Sequence, residues 1–191
     1  MRIKCCGITR PDDARCAEAC GADAIGVVVF SPPSVRSVSP ERAREIFDAV
    51  GPFTTTVAVS HTTLHEELEQ ILALRPDVLQ LSYPFTFHEK PHPKVIRVIG
   101  RNDPVPADCD AIIVDESHGS GRAFDLSHAR TVVMRSMLPV ILAGGLTPEN
   151  VGDAIRQVRP YAVDVASGIE SAPGSKDHGK IAAFIAAARS A

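Results

Sequence analysis

The chain has 191 residues, enough for one sizeable hydrophobic core, and at 45% hydrophobic and 23% charged its make-up is ordinary for a globular domain. A net charge of −3 with no basic run argues against nucleic acid or an anionic membrane as a partner. No apolar run approaches bilayer length, and five cysteines in a chain whose Met1 leads straight into a strand predict free thiols in a reducing cytoplasm.

The first predicted strand, 2–6, ends at Gly7, and a helix over 12–20 follows. Its start is read as Thr9 at the N-cap with Asp12 at the third helical position. Strand alternation separates two neighbouring cysteines. Ile3 and Cys5 point one way, while Arg2, Lys4 and Cys6 point the other. A lone cysteine is usually a small buried hydrophobe, and Cys5 fits that description. Cys6 sits at a strand tip before a helix N-terminus, whose partial positive charge favours thiolate, and it is the candidate catalytic residue.

Residues 23–30 (DAIGVVVF) form a continuous apolar run, the mark of a strand buried on both faces. After a loop containing Arg36, Ser39-Pro40-Glu41 opens a second helix, with serine as cap and proline in the first turn. Further strands are predicted at 53–59, 77–81, 94–99, 110–115, 139–143 and 161–165. Helices are predicted at 63–74 and 125–137, from Thr147-Pro148-Glu149 onward, and at 177–188. Between the fourth and fifth strands there is room for one helical turn at most. After the fifth strand, 101–107 (RNDPVPA) carries two prolines and is no regular helix.

Eight buried strands alternating with helices or helix-sized gaps predict one (β/α)8 barrel domain over 1–191, shortened after strands four and five. At about 24 residues per unit it falls below the ~200 residues usual at the small end of that fold. A doubly wound open sheet is the alternative, disfavoured by the strand count.

In such a barrel the active site forms from the loops after the strands' C-terminal ends. Gly144-Gly145 follows the seventh strand and Ser167-Gly168 the eighth. Backbone N–H groups there can approach an anion, and phosphate is the predicted ligand, with a plain turn as the competing explanation. Asp125 closes the glycine-rich loop 118–125 and is either a helix cap or a general acid facing Cys6. Arg36 is either a solvated charge or the holder of a carboxylate. Lys4 and Asp164 both face the interior on strands that are neighbours if the barrel closes, so Asp164 is expected to partner the buried lysine directly or through the ligand. Gln80 belongs to the same polar floor. The histidines show no metal spacing, and His61/His65 read as a solvated helix entrance.

KCCGIT, GADAIGVVVF, SVRSVSPERA, GSGRAFD, LAGGLTPENV and RPYAVDVASGIESAPGSKDH, in that order, resemble the phosphoribosylanthranilate isomerase family of tryptophan biosynthesis from end to end. The resemblance implies conversion of N-(5-phosphoribosyl)anthranilate to 1-(2-carboxyphenylamino)-1-deoxyribulose 5-phosphate by an Amadori rearrangement. It assigns Asp125 as general acid and Cys6 as general base. It places Arg36 near the anthranilate carboxylate and Gly144, Gly145, Ser167 and Gly168 around the phosphate, and it calls for no metal or organic cofactor. The implied partner is the small phosphorylated aminosugar alone. The family's QLHG reads Gln80-Leu81-Ser82-Tyr83 here, a departure on the side where the helix is also missing. A related histidine-pathway isomerase uses aspartate as base, so cysteine at position 6 argues against that substrate. A non-catalytic phosphate binder is disfavoured by the intact Cys6 and Asp125. A thiol redox or metal protein using Cys5-Cys6 is disfavoured because adjacent strand residues face opposite ways.

Overall fold

The computed structural model of the chain describes residues 1–82, 85, 87, 92–100, 108–115 and 126–191. It begins with β1 (Arg2–Cys5), α1 (Pro11–Cys20) and β2 (Ala24–Val29). A two-residue β3 (Ser37–Val38), α2 (Pro40–Phe47), β4 (Thr55–Ser60), α3 (His65–Ala73) and β5 (Val78–Leu81) come next. Then come β6 (Lys94–Ile99), β7 (Ala111–Asp115), α4 (Leu126–Arg135), β8 (Val140–Ala143), α5 (Val151–Val158) and β9 (Ala162–Val165). A 3-10 turn (Ser167–Ile169), the hairpin β10 (Glu170–Ala172)/β11 (Ser175–Lys176) and α6 (His178–Arg189) complete it.

All strands of the main sheet pair in parallel, in the order β1-β9-β8-β7-β6-β5-β4-β2, and β1 also pairs with β2. The sheet therefore closes on itself as a (β/α)8 barrel, and the open doubly wound alternative fails on the β1–β2 pairing. The seam is in register, with Ile3 beside Val163, Lys4 beside Asp164 and Cys5 beside Val165. The Cys6 N–H extends that ladder to the Val165 carbonyl at 2.8 Å. No helix occurs among the described residues between β5 and β6 or between β6 and β7. The segment 101–107 lies outside the described residues.

The core has two parts, and alternation along each strand divides them. Outside the barrel wall, Ile3, Cys5, Ile25 and Val27 pack with helix residues such as Ala14, Ile46, Ile155 and Phe184. Inside, Ile96, Ile113 and Ile141 fill one end, while Cys6, Val28, Val57 and Val59 gather under the mouth. Each fully buried aliphatic side chain contributes roughly 1.5–3 kcal/mol, so both layers are needed to hold a barrel of this size.

Three local expectations are corrected. Arg10, not Thr9, occupies the N-cap of α1 and makes no side-chain cap, because Pro11 takes the first helical position and the Thr9 hydroxyl donates to the Gly174 carbonyl at 3.0 Å. Thr147-Pro148-Glu149 forms a turn, and α5 starts only at Val151. The Asn150 carboxamide accepts from Thr147 N–H at 2.8 Å and holds the turn shut. The stretch after β2, expected as a loop, includes β3, paired with Val28 and Val29. By contrast, Ser39 caps α2 through Arg42 N–H, and Asp177 caps α6 through Lys180 N–H.

Candidate active site

The floor of the barrel mouth lies at the β1–β9 seam. Lys4 and Asp164, cross-strand neighbours and both buried, meet through Nζ and Oδ1 at 2.9 Å. The expected partnership is therefore direct. Removing one member of such a pair leaves an uncompensated buried charge, at a cost of about 3–5 kcal/mol. Burial pulls the Lys4 ammonium down, but Asp164 and Cys6 together outweigh it, and the net direction is up, so Lys4 stays protonated. The same ammonium lies beside the Cys6 sulfur: a Cβ on Gly26 would meet Cys6 Sγ at 2.8 Å and Lys4 Nζ at 3.1 Å.

Cys6 is 7% exposed and faces the interior, whereas Cys5 is sealed in the layer between barrel wall and helices. Burial pushes the Cys5 thiol up to about 12. Burial also pushes the Cys6 thiol above its ordinary value, with Lys4 opposing the shift most strongly and Asp164 reinforcing it. The acidic thiol expected from the strand-tip position is thus corrected. The valines under the mouth exclude water from the sulfur, and α1 begins only at Pro11, beyond the turn that follows Cys6.

Arg36 reaches the site from the loop after β2. Its fork is held by Glu170, through Nε to Oε1 at 2.8 Å and Nη2 to Oε2 at 2.6 Å. Glu170 also accepts from Lys176 Nζ at 2.9 Å, and that ammonium donates in addition to the Ala166 carbonyl at 2.9 Å. Burial alone would raise the Glu170 carboxyl, yet the Arg36 and Lys176 bonds hold it below the ordinary carboxylate value. Around the Cys6 sulfur, Lys4 and Lys176 oppose the effect of burial and favour a thiolate once it forms, while Asp164 reinforces burial.

Two glycine-bearing loops form the adjacent wall. Gly144 and Gly145 after β8 both have positive φ, 90° and 60°, a path that side chains rarely adopt. The loop after β9 passes so close that a Cβ on Gly168 would lie 1.9 Å from the Leu146 carbonyl oxygen. Glycine is therefore required where the two loops touch. Gly144, Gly145 and Ser167 line a cavity of about 230 Å³, which borders on Arg36 and Asp164.

A second cavity of about 520 Å³ opens over Cys6, Gly7, His61 and Gln80. Arg36, Asp115, Ala143, Asp164 and Ala166 belong to both, so the two form one trough across the mouth. Gln80 Oε1, buried in its wall, has no hydrogen-bond partner among the described residues. Nine of the ten residues singled out from the sequence are thus accounted for around this mouth: Gly168 by its contact with the opposing loop, Lys4 beneath it, and the others in the trough lining. The tenth, Asp125, lies outside the described residues together with the rest of loop 116–125.

Sequence reasoning passed over four groups. Asp115, the last residue of β7, lines both cavities; its position at a strand end was the available signal. His61 was read as a solvated helix entrance, but it lines the larger cavity, and its Nδ1 is 2.9 Å from Ser31 Oγ. Glu170 and Lys176 sit on the short hairpin after β9, which no periodicity announces. Among the described residues no cluster of three or more histidine, cysteine or acidic side chains could hold a metal.

The family model for N-(5′-phosphoribosyl)anthranilate (PRA) isomerase matches residues 3–187. The N-(5′-phosphoribosyl)anthranilate isomerase of Methanoregula boonei is 64% identical over 191 residues, covering 100% of this chain and 98% of that protein. The crystal structure of the phosphoribosyl anthranilate isomerase from Thermus thermophilus superposes with a TM-score of 0.84 at 38% identity, covering 100% of this chain and 99% of the other. A phosphoribosyl anthranilate isomerase solved in complex with reduced 1-(o-carboxyphenylamino)-1-deoxyribulose 5-phosphate gives a TM-score of 0.81 at 34% identity, with 100% of both chains covered.

Proposed function

Because this chain belongs to the N-(5′-phosphoribosyl)anthranilate isomerase family, an isomerase family of tryptophan biosynthesis, we propose that Cys6 is its general base and Asp125 its general acid. The reaction is an Amadori rearrangement that turns an N-ribosyl aminoaldose into a 1-amino-1-deoxyketose. Asp125 protonates the furanose ring oxygen, the C1′–O bond breaks, and the anthranilate nitrogen completes a Schiff base to C1′. Cys6, as thiolate, removes the proton from C2′. The electron pair forms the C1′–C2′ double bond of an enolamine, which tautomerises to the ketose. Atoms are conserved throughout, so the step needs no redox partner.

The observation that carries this reading is the trough. A buried thiol lines it, a guanidinium borders it, and one end is walled by the two glycine-bearing loops after β8 and β9. A phosphorylated aminosugar with a ring carboxylate has anionic groups at its two ends and its reacting carbons between. Arg36 takes the carboxylate and Gly144, Gly145, Ser167 and Gly168 take the phosphate. Gln80 meets a sugar hydroxyl with its unpaired oxygen, and Lys4 and Asp164 hold the charge balance under the thiol. The enzyme acts as a single barrel domain in the cytoplasm, where its five free thiols stay reduced. No helix among the described residues is long and apolar enough to cross a membrane.

The test compares the two adjacent cysteines and the acid. Cys6→Ser keeps nearly the same volume but replaces the ionisable thiol with a hydroxyl too weak to form the anion, and should abolish turnover while product-analogue binding survives. Cys5→Ala should keep kcat near wild type and lose stability through packing. Asp125→Asn should lose most of kcat and still bind the analogue. Turnover is read as the loss of anthranilate-type fluorescence. An active Cys6→Ser beside a dead Cys5→Ala would end the assignment.

A further inference from the structure

Arg36 does not reach the trough as a free side chain. Its stem crosses Gly7 so closely that a Cβ there would lie 2.6 Å from Arg36 Cδ. Its Nε and Nη2 are then taken by the two oxygens of Glu170. This grip consumes one edge of the guanidinium and fixes its plane. Nη1 is left to point elsewhere, and Arg36 lines both cavities. Glu170 is itself immobilised. It is 7% exposed, its side chain accepts from Lys176 Nζ, and its backbone carbonyl accepts from Lys180 Nζ at 2.7 Å. Lys176, with a fully buried side chain, spans from Glu170 to the Ala166 carbonyl at the head of the loop after β9.

We infer that Glu170 is a positioning residue for substrate recognition: it aims the free edge of Arg36 at the ring carboxylate, and through Lys176 it fixes that carboxylate subsite relative to the phosphate loop after β9. The inference rests on the reading of Arg36 given above. A buried charge cluster could serve stability alone, since breaking it would be costly at any place in a fold. Two features argue for more. The bidentate geometry selects one edge of a planar fork, and a bare charge balance would not need that. The second arm of the cluster ends on the backbone of a substrate loop and not on another helix or the core.

The two roles part company in one measurement, the preference for a carboxylate-bearing ligand. Affinities are measured for reduced 1-(2-carboxyphenylamino)-1-deoxyribulose 5-phosphate and for its phenyl counterpart without the carboxylate. Wild type should prefer the first by roughly ten- to a hundredfold, the range of a charge-assisted bidentate contact. In Glu170→Gln the preference should fall by about tenfold, because the fork loses its anchor while Arg36 keeps its charge. Glu170→Asp keeps the charge but is one methylene too short to reach both Arg36 and Lys176. It should show a partial loss, and it decides the matter if the glutamine variant does not fold. Equal weakening of both ligands would mean a purely structural role and would overturn the inference. Arg36→Met separates the layers. If it loses the preference while both Glu170 variants keep it, the inference about Glu170 fails alone. If Arg36→Met keeps the preference, the reading of Arg36 fails and the inference falls with it.

Discussion

Gly168→Ala probes the contact between the two loops after β8 and β9. The added Cβ would lie 1.9 Å from the Leu146 oxygen, 2.9 Å from its carbonyl carbon and 3.1 Å from Thr147 Cα. All three are backbone atoms, so no side chain can swing aside. Restoring an ordinary carbon–oxygen contact of about 3.4 Å requires the loops to part by about 1.5 Å. Overpacking of this kind costs about 1–3 kcal/mol of stability. Its larger consequence is local. If these loops hold the phosphate as proposed, a separation of that size breaks at least one N–H bond to it, worth about 1.5–3 kcal/mol when the acceptor is charged. Affinity should therefore fall about 10- to 100-fold, appearing as a raised KM. Cys6 follows β1 and its N–H is held by the Val165 carbonyl, at the end of β9 and not on the strained loop itself, so kcat should change less than KM. Initial rates across a range of substrate concentrations, together with competitive inhibition by inorganic phosphate, report both quantities. A folded Gly168→Ala protein with KM and phosphate inhibition within about twofold of wild type would refute the reasoning.

Gly26→Ala on β2 should strike the opposite parameter. Its Cβ would come within 2.8 Å of Cys6 Sγ and 3.1 Å of Lys4 Nζ, forcing the proposed base out of line, so kcat should drop about tenfold or more with KM little changed. A loss confined to KM would contradict that geometry. The pH dependence follows from burial. With the Cys6 thiol raised above its ordinary value, its thiolate fraction grows as pH rises, and alkylation by iodoacetamide should increase roughly tenfold per pH unit through neutrality, while Cys5 stays inert. Mass-spectrometric mapping that finds Cys6 labelling already level below pH 8 would show the thiol to be acidic after all. On the acid side, Glu170 is held below its ordinary value, so the stability it contributes is present above about pH 4.5 and lost as pH falls through its lower folded value. Thermal melts that do not weaken further below that pH would contradict the ion cluster.

What could be read from the sequence followed from periodicity. The apolar runs 23–30 and 110–115 are strands because a parallel barrel buries both faces, and the parity that separates Cys5 from Cys6 holds along β1. The Lys4–Asp164 pair was legible for the same reason, since closure makes their strands neighbours. The sequence was silent where tertiary contacts override local preference. Thr9 has the chemistry of a cap, but its hydroxyl is engaged by Gly174, 165 positions away. The acidity of Cys6 was misjudged because strand-end position is local, whereas the valines that dry the sulfur come from β2 and β4. Glu170 and Lys176 lie on a hairpin of five strand residues, too short for any period to register.

The seam between β1 and β9 also imposes an order in time. Lys4 leaves the ribosome ahead of its counterion, which follows 160 residues later. At typical elongation rates of about 5–20 residues per second the nascent lysine waits roughly 10–30 seconds for Asp164. Until then β1 lacks its neighbour on one side, the thiol beside Lys4 has no finished pocket, and the hairpin that grips Arg36 has not been made. A chain truncated before Ala162 therefore lacks both the closing strand and the last charges of the cluster. The pocket around Cys6 is thus finished only after β9 and the hairpin behind it have been made.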